Sequence, residues 1–248
     1  MRYFIEFSYN GKNYHGWQSQ PHSVSIQEVL EKSLSTLLRT PIEVVGAGRT
    51  DSGVHARQMF SHFDFSELID NQLVYKLNAF LPKDIAIHNI HRVTDEAHAR
   101  FDAIKRTYQY HISTQKDAFL YESSMYLNLS LDIVKMEEAA CKLFNYTDFQ
   151  CFSKSNTDVK TYNCKIYEAF WQRNGSQLIF TISADRFLRN MVRAIVGTLL
   201  DVGLGKISIS DFEKIIESKN RSNAGASVPA CGLFLTQIEY PEEIFLVD

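Results

Sequence analysis

Apolar positions recur along this chain with two periods, and the switches between them mark out its elements. Tyr3, Ile5, Phe7 and Tyr9 fall on one face at the two-residue period of a strand, and Asn10-Gly11 then predicts a tight turn. An aromatic and amide loop, Tyr14 to Pro21, leads to Ser25, which is placed to form a capping box with Glu28. Ile26, Val29, Leu30, Ser33, Leu34, Leu37 and Leu38 follow at helical spacing until Pro41 stops the helix. Ile42-Glu43-Val44-Val45, apolar and β-branched, reads as a buried strand. In the strand pattern from Gln58 to Phe65, Phe60, His62 and Asp64 share one face, and Met59, Ser61, Phe63 and Phe65 the other. A helix after Ser66, with Ile69, Leu73 and Leu77 inward, is predicted to end before Pro82, and Ile85–Val93 reads as a strand.

The same order returns beyond a junction near Phe101–Ile104, which divides the chain into 1–103 and 104–248. Arg106–Ile112 predicts a strand and Leu131–Phe144 an amphipathic helix. Polar, serine-rich Asp148–Tyr162 reads as a long surface loop, either filler or an RNA-contacting arm. Lys165–Trp171 and Gln177–Ser183 form a hairpin turned by Asn174-Gly175. A largely apolar helix is predicted over 185–200, then a helix Ser210–Ser218 and a strand Leu233–Tyr240. No sequence repeat is visible, but the repeated strand–helix–strand order predicts two related α/β units. Gly, Ser and Pro do not gather at the junction, which predicts a packed joint rather than a linker.

Composition narrows the classes. Charged residues make up 22% and hydrophobic residues 45% of the 248 positions, ordinary globular values. The net charge of −3 means that nucleic-acid binding would need a local basic patch rather than a global field. Cys141, Cys151, Cys164 and Cys231 lack C-x-x-C spacing and suit reduced thiols better than a disulfide frame or a zinc site. His88 and His91 lie three apart in a strand, facing opposite ways, with no obvious third ligand, so no metal is predicted. Without a signal-peptide pattern or a long apolar run, the protein is expected to be soluble and cytoplasmic, with no membrane partner.

The stretch that carries chemistry is Gly46-Ala47-Gly48-Arg49-Thr50-Asp51-Ser52-Gly53-Val54-His55-Ala56, a loop at 46–56 between strand patterns. It reads as a glycine-rich hairpin in which Asp51 is a turn residue, or as a loop presenting Asp51 as nucleophile or base beside Arg49. A phosphate cradle fails, because neither a Gly-Lys-Ser/Thr ending nor a G-x-G-x-x-G run is present. In the helix predicted over 185–200, Arg186, Arg189 and Arg193 lie three and four apart on one face, either as a solvated stripe or with one arginine aimed at Asp51.

GRTDSGVHA resembles the signature of the TruA family of tRNA pseudouridine synthases. The likeness extends to Tyr9-Asn10-Gly11, Gly16-Trp17-Gln18, the run Ile26 to Glu31, Leu77 to Ile85, Phe187 to Arg193 and Gly232-Leu233-Phe234-Leu235. It departs at Ser52, where alanine is commonest, at Gln58-Met59, where Gly-Gln is usual, and at Phe80, where asparagine is usual. The resemblance implies an α+β pseudouridine synthase fold, with two ferredoxin/RRM-like subdomains sharing a mainly antiparallel sheet and helices on one side. It also implies isomerisation of uridine to pseudouridine in the anticodon stem-loop of tRNA, at positions 38, 39 and 40, by a homodimer that binds tRNA across both subunits.

On that resemblance Asp51 is the catalytic carboxylate, Arg193 its guanidinium partner, and Tyr108 the tyrosine at the target base. Arg49 and Leu233 would join Tyr108 in binding substrate; Arg57, Lys105, Arg106, Lys160, Arg186 and Arg189 are candidate RNA contacts. No cofactor or metal is required. Taken alone, a tyrosine such as Tyr108 in a strand is more often a core residue. Two other classes compete: a non-catalytic RNA-binding module, which has no need of a buried carboxylate, and a metal-dependent nucleotide hydrolase, for which the eight histidines show no ligand cluster.

Overall fold

The computed structural model describes residues 1–70, 72–154 and 159–246. Two compact units emerge: Met1–Ile104 together with Leu235–Asp248, and Lys105–Phe234. The C-terminal segment assigned from sequence to the second half thus belongs to the first unit.

In the first unit, β1 (Arg2–Tyr9) lies between β4 (Ile85–Val93) and β3 (His55–Asp64), antiparallel to both. The short β2 (Val45–Gly46) also pairs with β3. Phe4 and Ile5, on opposite faces of β1, are both fully buried. The Phe4 face meets Tyr240 and Phe245, ring centroids 5.1 and 6.1 Å away, so the C-terminal segment covers a face that the alternation left to polar residues. Helix α1 (Ile26–Leu38) starts where predicted, Ser25 Oγ accepting the Glu28 N–H at 3.2 Å. It ends on Arg39 in the left-handed region (φ 57°), two residues ahead of Pro41.

Two expectations in this unit need correction. Ile42–Val44 forms no strand; its main chain bonds to side chains of α1 instead. Ser35 Oγ accepts from Ile42 N at 2.8 Å, Glu31 Oε1 accepts from Val44 N at 3.0 Å, and Gln27 Nε2 donates to Val44 O at 3.2 Å. These groups satisfy the backbone that a ladder would have used. Helix α2 (Gln72–Phe80) begins later than the apolar spacing suggested, because the Asp70 carboxylate accepts the Gln72 N–H at 2.8 Å and fixes the start there. Leu73 and Leu77 are buried, while Ile69 lies outside the helix and is only half-buried. Asn78 then locks α2 to β4, donating to Ile87 O at 2.8 Å and accepting from Ile87 N at 2.7 Å.

In the second unit β5 (Lys105–Ser113), β8 (Gln177–Ala184) and β7 (Ile166–Asn174) are antiparallel neighbours, and β6 (Met125–Tyr126) runs parallel to β5. The β7–β8 hairpin turns at Gly175 (φ 59°), as the Asn-Gly pair predicted. α3 (Ile133–Lys142), α4 (Met191–Gly203) and α5 (Ile209–Glu217) supply its helices, and α4 is buried over most of its surface. The last strand, β9 (Leu233–Glu239), starts here and continues into the C-terminal segment of the first unit. Mainly antiparallel pairing with separate helices makes the chain α+β, the class expected.

The surface-loop reading of 148–162 holds only in part. Phe149, Cys151 and Phe152 are fully buried, Phe152 lying 6.2 Å from Phe212 of α5, because three apolar side chains interleave with the polar ones and turn inward together. Residues 155–158 of that stretch lie outside the described residues. Burial pushes the thiols of Cys151 and Cys164 up to about 12, so neither is a thiolate near neutrality.

One buried group makes stability depend on pH. His62 Nδ1 accepts the Ala99 N–H at 3.1 Å, its ring meets His98 edge-on at 4.6 Å, and burial, with Arg2 and His98 nearby, lowers its pKa to about 4. Asp64 and Asp102 oppose that shift without cancelling it. The unfolded imidazole titrates near ~6.5, so between those values the unfolded chain binds more protons and stability rises with pH. The contribution is complete above pH ~6.5 and is lost as pH falls toward 4. The Glu6 carboxylate, held at about 2 chiefly by its hydrogen bond with His91, loses its contribution only below ~4.5. The urea midpoint should therefore drop between pH 7.5 and pH 5, and the drop should shrink in His62→Gln. An equal slope in both proteins would contradict this origin.

Candidate active site

Loop 46–56 is held from outside its own sequence, by the stretch from Tyr9 to Trp17. Thr50 is fixed twice: its carbonyl accepts the Trp17 N–H at 3.2 Å, and its Oγ1 shares a 2.8 Å hydrogen bond with the buried Tyr9 hydroxyl. The Tyr14 carbonyl accepts from Gly53 N at 3.4 Å and from Ser52 Oγ at 3.2 Å. Asp51 closes its own turn through its main-chain carbonyl, which accepts the Val54 N–H at 3.1 Å. At the loop's end Gly11 N donates to His55 Nδ1 at 3.1 Å. At its start Ala47 N donates to Phe60 O at 2.8 Å.

Three glycines permit this approach. A Cβ on Gly11 would lie 1.9 Å from the Val54 carbonyl oxygen, one on Gly16 2.4 Å from the Thr50 carbonyl oxygen, and one on Gly46 2.4 Å from the Trp17 indole. Gly11–Asn13 forms a tight 3-10 turn where Asn10-Gly11 predicted one, and Gly11 also serves close packing under the loop. The supporting stretch is itself anchored. Tyr14 Oη donates to Asp84 Oδ1 at 2.5 Å, and Asn13 Nδ2 donates to Asp84 Oδ2 at 3.1 Å. Burial and the Asp84 carboxylate both raise the Tyr14 phenol, which keeps its proton and its role as donor. Asp51 is half-buried on this frame, with Arg49 and Arg57 exposed on either side in sequence.

The remaining candidates belong to the second unit. Tyr108 faces Ile182 in the β5–β8 ladder, is half-buried, and meets Phe187 edge-on at 5.1 Å. Arg106 Nη1 donates to Asp185 O at 2.9 Å, so β5 and the segment after β8 bring Arg106, Tyr108 and Phe187 together. Lys105 pairs with Glu168 at 3.6 Å. Lys160 and Arg189 are exposed, and Leu233 is buried.

The helix expected over 185–200 is shorter. It begins at Met191, after Asn190 in the left-handed region (φ 67°), so Arg186 and Arg189 precede it and the three arginines form no helical stripe. The Asp185 carboxylate accepts from Lys165 N at 2.8 Å and from Arg186 N at 2.7 Å, holding the segment in its non-helical course. Arg193 alone stands on α4, in its first turn, its Nε donating to Val228 O at 2.7 Å. His88 bonds to Ser8 and His91 to Glu6. Among the described residues no three metal-ligating side chains gather, and no helix is long and apolar enough to cross a membrane.

Sequence reasoning on chemistry alone did not single out Tyr9, Tyr14, Gly16 and Trp17 as parts of the site. The available signal was the clustering of aromatics and glycines in a stretch with neither helical nor strand period.

Comparison with known proteins points one way. The family model described as tRNA pseudouridine synthase matches residues 6–102 and 139–241. A protein of Bacteroides fragilis named tRNA pseudouridine synthase A is 56% identical over 248 residues, covering 99% of this chain and 98% of its own length. One of the same name from Parabacteroides distasonis is 54% identical over 249 residues, covering 100% of this chain and 99% of its own. A Bacillus subtilis protein of that name is 40% identical over 245 residues, covering 97% and 99%.

Proposed function

Since the chain belongs to the tRNA pseudouridine synthase family, we propose that it is an isomerase converting uridine to pseudouridine within tRNA, with Asp51 as the catalytic carboxylate. The observation that carries the assignment to Asp51 is the frame beneath it. Main-chain and side-chain bonds from Tyr9, Gly11, Tyr14 and Trp17 hold residues 50, 52, 53 and 55 on both sides of a half-buried carboxylate. A turn residue needs no such support; a group that must meet one atom of a substrate does.

The reaction breaks the N1–C1′ bond, turns the uracil within the pocket and joins C5 to C1′, with the C5 proton leaving to solvent and N1 taking one up. The product is an isomer of the substrate and no water is consumed, so one carboxylate suffices where a glycoside hydrolase needs two. Three first steps are open to it: attack on C6, attack on C1′, or removal of the C2′ proton. Each requires the carboxylate ionised, and Arg193 is the cation assigned to the same reaction. The target base must leave its stack, at a cost of a few kcal/mol, and Arg49 helps to hold it out. Arg57, Lys105, Arg106, Lys160, Arg186 and Arg189 contribute phosphate contacts, and Leu233 an apolar wall to the substrate site. The targets are uridines 38, 39 and 40 of the anticodon stem-loop, the enzyme is a homodimer with tRNA across both subunits, and it works in the cytoplasm.

Release of tritium from tRNA labelled at uracil C5 tests the assignment directly, since a non-catalytic RNA binder releases none. Mapping the modified positions in the product tests the choice of the anticodon arm.

Tyr108 allows a separate test. Its ring, braced edge-on by Phe187, offers a surface to the base, and its hydroxyl is the candidate shuttle for the C5 proton. Tyr108→Phe keeps the ring and should bind tRNA as the parent does while releasing tritium roughly 100-fold more slowly. Unchanged turnover would remove the hydroxyl from the mechanism.

A further inference from the structure

Residues 224–229 lie as a strap along α4. Gly225 N donates to Thr198 Oγ1 at 2.9 Å, and Thr198 Oγ1 donates in turn to Ala194 O at 2.8 Å. The approach leaves no room for side chains: a Cβ on Gly197 would lie 1.8 Å from the Ala226 carbonyl oxygen, and one on Gly225 would lie 2.7 Å from the Asp201 carboxylate. The strap ends on Arg193 of α4 and Tyr110 of β5. Arg193 and Val228 are joined reciprocally, Arg193 Nε donating to Val228 O at 2.7 Å and Val228 N donating to Arg193 O at 3.2 Å. The next carbonyl, that of Pro229, accepts the Tyr110 hydroxyl at 2.9 Å.

One hydroxyl ties the strap to the start of α4. Ser227 Oγ accepts from Asn190 Nδ2 at 2.6 Å and from Arg221 Nη2 at 2.9 Å. Arg221 spends its Nη1 on the carbonyls of Ala224 and Gly225, at 3.3 and 3.1 Å, curling the strap around its guanidinium. Asn190 is the left-handed residue immediately before α4, three positions ahead of Arg193. The start of the helix, the strap and Arg221 therefore converge on one oxygen one residue from the carbonyl that takes the Arg193 Nε–H.

A guanidinium is a rigid planar fork, so fixing the Nε–H direction fixes the plane in which the terminal nitrogens lie. Pairing with a carboxylate through those nitrogens depends on that plane. We propose that Ser227 is a positioning residue for the reaction: held by Asn190 and Arg221, it places the Val228 carbonyl and so aims the Arg193 guanidinium. The inference rests on the reading of Arg193 as the catalytic cation.

The test is a double-mutant cycle in single-turnover tritium release at saturating tRNA, with melting temperature and tRNA Kd measured on each protein. Ser227→Ala leaves two donors without their shared acceptor and should slow turnover about 10-fold, since misplacement of a positioned group by an ångström costs up to ~100-fold. Its Kd should stay within about twofold, because the phosphate contacts are elsewhere. Ser227→Thr, which keeps the oxygen, should restore the rate. Arg193→Lys has no Nε–H to aim, so adding Ser227→Ala to it should cost nothing further. Multiplying effects, or wild-type turnover in Ser227→Ala, overturns the proposal. Wild-type turnover in Arg193→Lys alone instead removes the role given to Arg193, and the positioning role falls with it. If Ser227→Ala melts too early to assay, Arg221→Gln takes its place in the same cycle and is read the same way.

Discussion

Asp51→Asn should release no tritium from C5-labelled tRNA while melting at the parent temperature. Asparagine keeps the size of the side chain and most of its hydrogen-bonding reach, but it carries no charge and is neither nucleophile nor base at neutral pH. Several bonds that hold the loop are made by groups other than the carboxylate. Val54 N is bonded to the main-chain carbonyl of residue 51, and Thr50, Ser52, Gly53 and His55 are held by Tyr9, Trp17, Tyr14 and Gly11. Affinity for tRNA should be unchanged or slightly higher, because one negative charge near the phosphates is gone. Asp51→Glu should fail as well: one methylene moves the carboxylate by roughly 1 Å, enough to cost ~100-fold where geometry is tight. Had Asp51 been only a turn residue, asparagine would keep turnover and cost at most about 1 kcal/mol of stability. A folded Asp51→Asn protein with parent turnover would falsify the assignment.

Where the sequence was legible, one local signal decided the outcome. Ser25 and Glu28 start α1 by a bond between neighbours, and Asn174-Gly175 turns a hairpin, so both could be read from a few residues. The strand Ile85–Val93 ran between clear limits. Reading failed where a distant group competed for the backbone. Ile42–Val44 had every local mark of a strand, yet side chains of α1 took its hydrogen bonds. The arginines before α4 had helical spacing, but the Asp185 carboxylate took the Lys165 and Arg186 amides, and Asn190 adopted a left-handed conformation that spacing cannot reveal. Phe149, Cys151 and Phe152 were hidden by the polar average of their surroundings.

The candidate site shows the same division. The loop was conspicuous because its composition is uneven, and Asp51 followed from it. The frame under the loop was not, because Tyr14, Gly16 and Trp17 meet the loop through backbone groups and close packing and Tyr9 through a hydroxyl paired with Thr50, none of which leaves a residue-type signature of chemistry.

That frame leads to an expected result of comparable size to the loss of Asp51. Gly16→Ala should abolish turnover and lower the melting temperature, whereas Gly48→Ala, inside the loop itself, should leave the melting temperature unchanged. Gly16 has φ 88°, in the left-handed region where an L side chain is strained, and its Cβ would lie 2.4 Å from Thr50 O, 3.1 Å from Asp51 C and 3.3 Å from Ser52 N. Those atoms are main chain and cannot swing aside as a side chain would. Relief therefore requires the loop to retreat by several tenths of an ångström at the residue that carries the carboxylate. The same retreat lengthens the Trp17 N to Thr50 O bond, now 3.2 Å. Strain of this kind costs of order 1–3 kcal/mol, and displacement of the carboxylate adds the geometric penalty to the rate. Gly48, by contrast, has nothing within 4 Å of its would-be Cβ and no positive φ. A glycine acting only as flexible filler would give both alanine variants the same small gain in stability. Thermal melts and C5 tritium release on the two proteins separate the outcomes, and a Gly16→Ala enzyme as stable and active as the parent would show that the approach of residue 16 to the loop does not hold Asp51 in place.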